Sequence, residues 1–261
     1  MRALPCILSL LCLSAPISLA KVKAVPAPEK PATPITPAAR AAAEKQVDQA
    51  LDDAGTFREK GEFAKALERH EWYHANALRL APAQYGVRLS FALSDWMKLG
   101  KQYPPAIASL KRIRDEGTKT LEDGKGDAHL FHDVEAINGR FSETDATIAL
   151  FKKLDAEHPA LAAECFRMVS RTLIQMNETE LVAKYVGDPK VYLAQQIETF
   201  TLSAEHIRKG PRGEGAVIPF KNRLIDLTLT LAKIATDKGD PALAAELKEM
   251  TNKVAPDPRL K

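Results

Sequence analysis

The stretch GEFAKALERHEWYHANALRLAP, residues 61–82, decides the fold of this 261-residue chain. Its apolar side chains recur with the period of a helix. Gly61 allows the chain to reverse before this helix, and Phe63 fills the gap between two antiparallel helices. Ala66, one turn later, lets the two helix axes approach closely. The stretch therefore predicts the second helix of a helix–turn–helix pair.

The same arrangement recurs twice at intervals of 39 residues, counted between glycines at positions 61, 100 and 139. Each glycine is followed by an aromatic residue and then by an alanine: Gly100, Tyr103 and Ala106, and then Gly139, Phe141 and Ala146. A less regular version follows Asn177 and Gly239. Since one helix pair cannot bury its own apolar stripe, successive pairs must stack.

The apolar period and the Gly, Pro and Asn–Glu breaks predict helices throughout the chain after residue 38. The predicted helices are 39–59, 62–80, 84–99, 105–123, 127–138, 143–156, 160–176, 178–186, 190–209, 219–237 and 241–254. No stretch alternates apolar and polar residues for long enough to form a sheet. The expected fold is all-α.

Residues 61–82 resemble a tetratricopeptide unit through Gly61, Phe63, Ala66, Ala77-Leu78 and Pro82. Trp96, Leu99, Gly100 and Tyr103 match half of that motif, although Pro104-Pro105 follow at once and the period exceeds the usual 34 residues. The resemblance covers residues 38–189, and it implies an α-solenoid that binds peptides or proteins in a concave groove. It places five candidate partner-binding residues on the first helix of each pair: Arg58, Ser94, Lys98, His129 and Asp133.

Two further segments flank the repeat region of residues 39–189. Residues 190–261 predict a C-terminal helical unit that caps the stack, with a Gly/Pro loop at 208–220. Residues 1–20 have the pattern of a signal peptide: Arg2, an apolar run at 7–13 and the small residues Ser18 and Ala20 before Lys21. Residues 21–38 are rich in proline and alanine and predict a disordered linker. We expect an exported protein, periplasmic or extracellular, that is cleaved near Ala20.

One short sequence motif predicts catalysis instead of binding. His70-Glu71-Trp72-Tyr73-His74 is an HExxH sequence, and its two histidines share one face of a helix, where they could hold zinc while Glu71 activates a water. A catalytic zinc requires a third protein ligand, and neither common spacing supplies one here. A second group, His129, His132 and Asp133, could join it only if neighbouring repeats brought the two together.

Composition narrows the function further. A formal net charge of +3 gives no large field to attract nucleic acid. No segment after the N-terminus is long and apolar enough to cross a membrane, and no cofactor motif is present. The sequence therefore predicts a protein- or peptide-binding scaffold of the bacterial envelope, with no catalytic residues, metal or cofactor. The alternatives are a zinc-dependent hydrolase and a structural envelope component without a stable ligand.

Overall fold

The computed structural model describes residues 36–211 and 213–261, and all regular secondary structure in these residues is helical. The helices are α1 Pro37–Glu59, α2 Phe63–Leu80, α4 Pro104–Glu122, α5 Ala128–Phe141, α6 Thr144–Glu157, α7 Pro159–Gln175, α8 Thr179–Tyr185, α9 Pro189–Arg208, α10 Ile218–Asp237 and α11 Pro241–Val254. Between α2 and α4, α3 runs continuously through a 3₁₀ turn (Pro82–Gln84), a short α-helix (Tyr85–Val87), a π-helical turn (Arg88–Ala92) and an α-helix (Leu93–Gly100). The all-α prediction is confirmed.

Helix starts follow from local chemistry. Thr36, Asp127, Asp188 and Asp240 cap helix N-termini by accepting hydrogen bonds from backbone N–H groups. Proline occupies the first turn of many helices, where its missing N–H costs nothing. Pro37 is one of these prolines: the predicted linker ends at 38, whereas α1 begins at Pro37.

The helices form a repeat-like array in which most contacts join helices that are adjacent in the chain or next but one, and α7 also packs against α10. The odd-numbered helices α1, α3, α5 and α7 are neighbours in one layer, and the even-numbered helices α2, α4 and α6 are neighbours in a second layer. A hydrogen bond of 2.7 Å from Gln84 Nε2 to Asp48 Oδ1 links α1 to α3. Another of 2.8 Å, from Thr172 Oγ1 to Glu135 Oε1, links α7 to α5.

Four turns share one geometry, which the turn between α3 and α4 lacks, and the predicted register of the third turn is wrong. Gly61, Ser142, Asn177 and Gly239 each have a positive φ of 57–83°. At each of them the next residue donates a backbone hydrogen bond of 2.8–2.9 Å to a carbonyl five residues earlier, which is the Schellman motif. The third reversal was predicted at Gly139, but Gly139 lies within α5. Ser142 makes that turn instead.

The register shift also moves the small residues expected to line the contact between helices. Ala66 and Ala106 are buried as predicted, but Ala146 is exposed, and the next residue, Thr147, is buried in its place. Gly100 ends α3 without a positive φ. A Cβ at that position would lie 2.2 Å from Ile107 Cδ1, so Gly100 is needed for close packing and not for chain reversal.

Apolar packing continues from the repeats into the C-terminal unit. One cluster of buried side chains extends from Leu121 at the end of α4 to Ala255 after α11, and two smaller clusters join α1–α3 and α2–α5. Cys165 is fully buried in the largest cluster, and burial raises the pKa of its thiol to about 12. Within residues 36–211 and 213–261, no helix has the length and apolar character needed to span a bilayer. The predicted signal peptide and most of the predicted linker lie outside the described residues.

Candidate functional site

Arg88 lies at the centre of the odd-numbered layer and is only 6% exposed. Its Nε donates to the backbone oxygen of His74 at 2.9 Å, and its Nη2 contacts His74 Nε2 at 3.0 Å. Its Nη1 donates to Asp133 Oδ1, which completes an ion pair with α5. One guanidinium therefore joins α2, α3 and α5, and a buried cation is balanced by a largely buried carboxylate.

The π-helical turn that carries Arg88 leaves backbone carbonyl groups without regular helical partners. Arg140 of α5 donates from Nη2 to the Ser90 oxygen at 2.8 Å, and Ser94 Oγ donates to the same oxygen at 2.9 Å. Arg140 on α5 is therefore a second arginine that holds α3 in place. The Ser90 carbonyl accepts one bond from α5 and one from the next turn of α3.

The three polar members of the HExxH string contact three different neighbours. His70 is fully buried, and its ring stacks on Trp96 with centroids 5.4 Å apart. His74 Nε2 faces the Arg88 guanidinium. Glu71 Oε1 accepts a hydrogen bond from Ser109 Oγ on α4 and lies 3.6 Å from Arg112 Nη2. Glu71 therefore points toward α4, away from the site where a zinc-bound water would lie.

Burial keeps both of these histidines neutral. It lowers the pKa of His70 to about 4, although Asp95, whose Oδ2 lies 3.7 Å from His70 Nε2, opposes the shift. Burial and then the charge of Arg88 lower the pKa of His74 well below its ordinary value. Neither ring nitrogen of His70 has a hydrogen-bond partner, and the partner of His74 Nε2 is the Arg88 cation.

The second histidine group is organised by a residue that the sequence reasoning missed. The Tyr85 hydroxyl lies 2.6 Å from His132 Nδ1, and the Tyr85 ring meets the edge of His129 with centroids 5.3 Å apart. Asp133, the third member of this group, pairs with Arg88. Among the residues that the structure describes, no cluster of three or more His, Cys, Asp or Glu side chains is arranged to hold a metal ion.

We predict that the purified chain binds no stoichiometric zinc and that added zinc leaves its melting temperature unchanged. A metal ion at His74 Nε2 would have to displace the Arg88 guanidinium and would repel it at short range. Elemental mass spectrometry on untagged protein measures the zinc content. Thermal melts with and without added zinc measure the change in melting temperature.

The matched control for this test is the His70→Ala, His74→Ala double variant. About one zinc per chain in the wild type, lost in the double variant, would contradict the prediction and would support the hydrolase alternative.

The five candidate partner-binding residues have different environments. Arg58 is largely buried beside Asp95, with 3.8 Å between Nη2 and Oδ1, and Asp133 is bound to Arg88. Ser94 is half-buried and bonded to the helix backbone. Lys98 and His129 are exposed. The structure therefore leaves Lys98 and His129 as the members with accessible polar groups, while the charges of Arg58 and Asp133 are satisfied internally.

The outward sides of α3, α5 and α7 carry the accessible groups of the odd-numbered layer, and we call this surface the odd-helix face. It comprises Phe91, Ser94, Lys98, His129, Ala136, Arg167 and Arg171. Phe91 is 76% exposed and shares a helical stripe with Ser94 and Lys98. Ala136 and the exposed Gly139 keep the centre of the face shallow, because their side chains are small.

No protein-family model, no curated protein and no solved structure matches this chain.

Proposed function

We propose that this chain is an exported protein of the bacterial envelope that binds a protein or peptide partner on the odd-helix face of a tetratricopeptide-like α-solenoid. The export claim rests on the pattern of residues 1–20, and the solenoid claim rests on the stacked helix pairs with shared turn geometry. The binding claim rests on the surface chemistry of the face.

The observation that carries the binding claim is the exposed Phe91 ring. Phe91 leaves 76% of its surface exposed to water. Removing this apolar surface from water stabilises a complex with a partner that covers it. The exposed Lys98 and His129 lie on the same face and supply polar groups around this apolar group. An aromatic anchor surrounded by polar side chains is the usual composition of a protein-binding patch.

The network beneath Phe91 gives the face a fixed shape. Arg88 bonds to Asp133 and Arg140 bonds to the Ser90 backbone oxygen, so two contacts hold the π-helical turn to α5 just before Phe91. A side chain that is already positioned loses less conformational entropy on binding. Arg58 and Asp133, predicted as partner contacts, therefore act on binding through the position of α3, whereas Lys98 and His129 remain the predicted direct contacts.

Site-specific photo-cross-linking tests this proposal. We replace Phe91 with benzoylphenylalanine, which keeps an aromatic ring at the same place, and irradiate cells that export the protein. We expect one discrete adduct, and the partner identified from it should bind the purified chain. Phe91→Ser should weaken that binding at least tenfold, because the apolar anchor is lost.

The control places the same cross-linker at Glu68, an exposed residue of α2 in the even-numbered layer. The same adduct at both positions, or no discrete adduct at Phe91, would contradict the proposed binding face.

A further inference from the structure

Three arginines extend the odd-helix face toward α10, and we call them the arginine cluster: Arg167 and Arg171 of that face, on α7, and Arg223 on α10. All three are exposed. Arg167 and Arg171 are four residues apart and so share one side of α7, where like charges repel. Helix α7 packs against α10, which brings the third arginine to the same region.

The charge of Arg171 acts on titratable groups of two neighbouring helices, α5 and α10. Burial raises the pKa of the Glu135 carboxyl on α5, and the charge of Arg171 opposes that rise. Burial lowers the pKa of the Arg223 guanidinium on α10, and the charge of Arg171 lowers it further. Helix α7 packs against α10, and the charge of Arg171 disfavours the charged form of Arg223.

The cluster is not neutralised within the described part of the chain. Arg88, Arg112 and Arg114 each pair with a carboxylate of their own fold. Across residues 36–211 and 213–261, no ion pair satisfies a guanidinium of the arginine cluster. Glu135, beside Arg171, is held by Thr172 at 2.8 Å. Neighbouring cations without ion-pair partners form a surface that an anionic ligand would stabilise.

Apolar groups next to the cluster indicate the kind of anion. The Arg223 guanidinium lies over the Phe220 ring, 5.2 Å from its centroid, and Ile218 is 53% exposed nearby in sequence. Stacking on an aromatic ring leaves the guanidinium N–H groups free to make paired hydrogen bonds with a carboxylate. A segment that carries both carboxylates and apolar side chains matches this surface. A net charge of only +3 gives little field to hold a nucleic acid.

We propose that the arginine cluster binds an acidic segment of the protein partner, with carboxylates on Arg167, Arg171 and Arg223 and apolar side chains on Phe220 and Ile218. This inference rests on the proposed function, because it specifies the chemistry of the same partner. The segment would continue from the odd-helix face across α7 to α10.

The test uses a fluorescent twelve-residue peptide of glutamate, leucine and phenylalanine, and it measures anisotropy with the full chain at 150 mM salt, about physiological ionic strength. Wild-type protein should bind it, and Arg171→Glu should weaken binding at least tenfold. Arg171→Lys should retain part of the affinity, because an ammonium keeps the charge but not the paired hydrogen bonds.

Arg40→Glu is the matched control, since Arg40 is exposed on α1 and the substitution makes the same change in net charge. Circular dichroism melts of each variant show that folding is preserved. No binding of the peptide by the wild type, or an equal loss in Arg40→Glu, would overturn the inference. Tighter binding of a single-stranded oligonucleotide of the same charge would also overturn it in favour of nucleic acid.

The cross-link at Phe91, repeated in the Arg171→Glu variant, separates this inference from the proposed function. The acidic-segment proposal requires that the adduct be reduced. An adduct at full wild-type yield would leave the binding face intact and would refute the role of the arginine cluster.

Discussion

Replacing Arg88 with alanine should lower the free energy of unfolding by about 3–5 kcal/mol, which is the usual cost of removing one partner of a buried ion pair. The substitution leaves the Asp133 carboxylate largely buried without its cation, and it removes the donors to the His74 backbone and ring. The substitution also removes the side chain that joins α3 to α2 and α5. Urea unfolding followed by circular dichroism measures the change.

Two further variants identify the cause of this loss. Arg112→Ala removes an exposed arginine whose Nη1 lies 3.0 Å from Glu116 Oε1, and it should cost less than about 1 kcal/mol. The double variant Arg88→Met, Asp133→Leu should recover most of the stability lost in Arg88→Ala, because no unpaired charge remains. A loss below about 1 kcal/mol for Arg88→Ala would contradict the structure of this network.

Acid should destabilise the protein through His70, by up to about 3 kcal/mol between pH 6.5 and pH 4. The pKa of His70 falls from 6.5 to about 4 on folding, so within this window the unfolded chain binds a proton that the folded chain rejects. Stability due to neutral His70 is therefore complete above pH 6.5 and is lost as the pH falls toward 4.

His70→Phe should remove this contribution while it keeps an aromatic ring on Trp96. It should also relieve two buried ring nitrogens that have no hydrogen-bond partner. The measurement is the free energy of unfolding of both proteins from pH 7 to pH 4, with His206→Phe at an exposed histidine of α9 as the control. Parallel pH profiles for wild type and His70→Phe would show that His70 does not couple folding to protons.

Helix positions could be predicted from the sequence because the 3.6-residue apolar period is a local signal. The largest error at a helix end is the third helix pair, where 138 was predicted and α5 ends at Phe141. That error came from treating glycine as the marker of chain reversal. Ser142 and Asn177 adopt the same left-handed conformation without being glycine.

A better marker of these turns was present in the sequence. An acidic residue follows the left-handed residue in each of these four turns: Glu62, Glu143, Glu178 and Asp240. Glu143 then pairs with Arg114 of α4, and Glu178 Oε1 lies 2.6 Å from Lys152 Nζ of α6. Glu143 and Glu178 therefore link their turns to the preceding even-numbered helix, whereas Glu62 pairs with Lys65 and Asp240 caps α11.

The central network could not be predicted, because its members are 14 to 50 residues apart in the chain. Helical spacing does not show which side chains of different helices meet. One signal was available: Arg88 lies four residues before Ala92 and eight before Trp96, on the buried stripe of α3. An arginine on a buried stripe requires an anion, so the sequence could have indicated that Arg88 has a carboxylate partner, although not which one.

Side-chain footprinting tests the central claim, that a protein partner binds the odd-helix face, most directly. Hydroxyl radicals modify exposed side chains, and their rates are compared with and without the partner identified by cross-linking. We predict that Phe91 loses most of its reactivity, whereas Leu202, 63% exposed on α9, keeps its own. Unchanged modification of Phe91 while the partner is bound would show that binding occurs elsewhere and would contradict the claim.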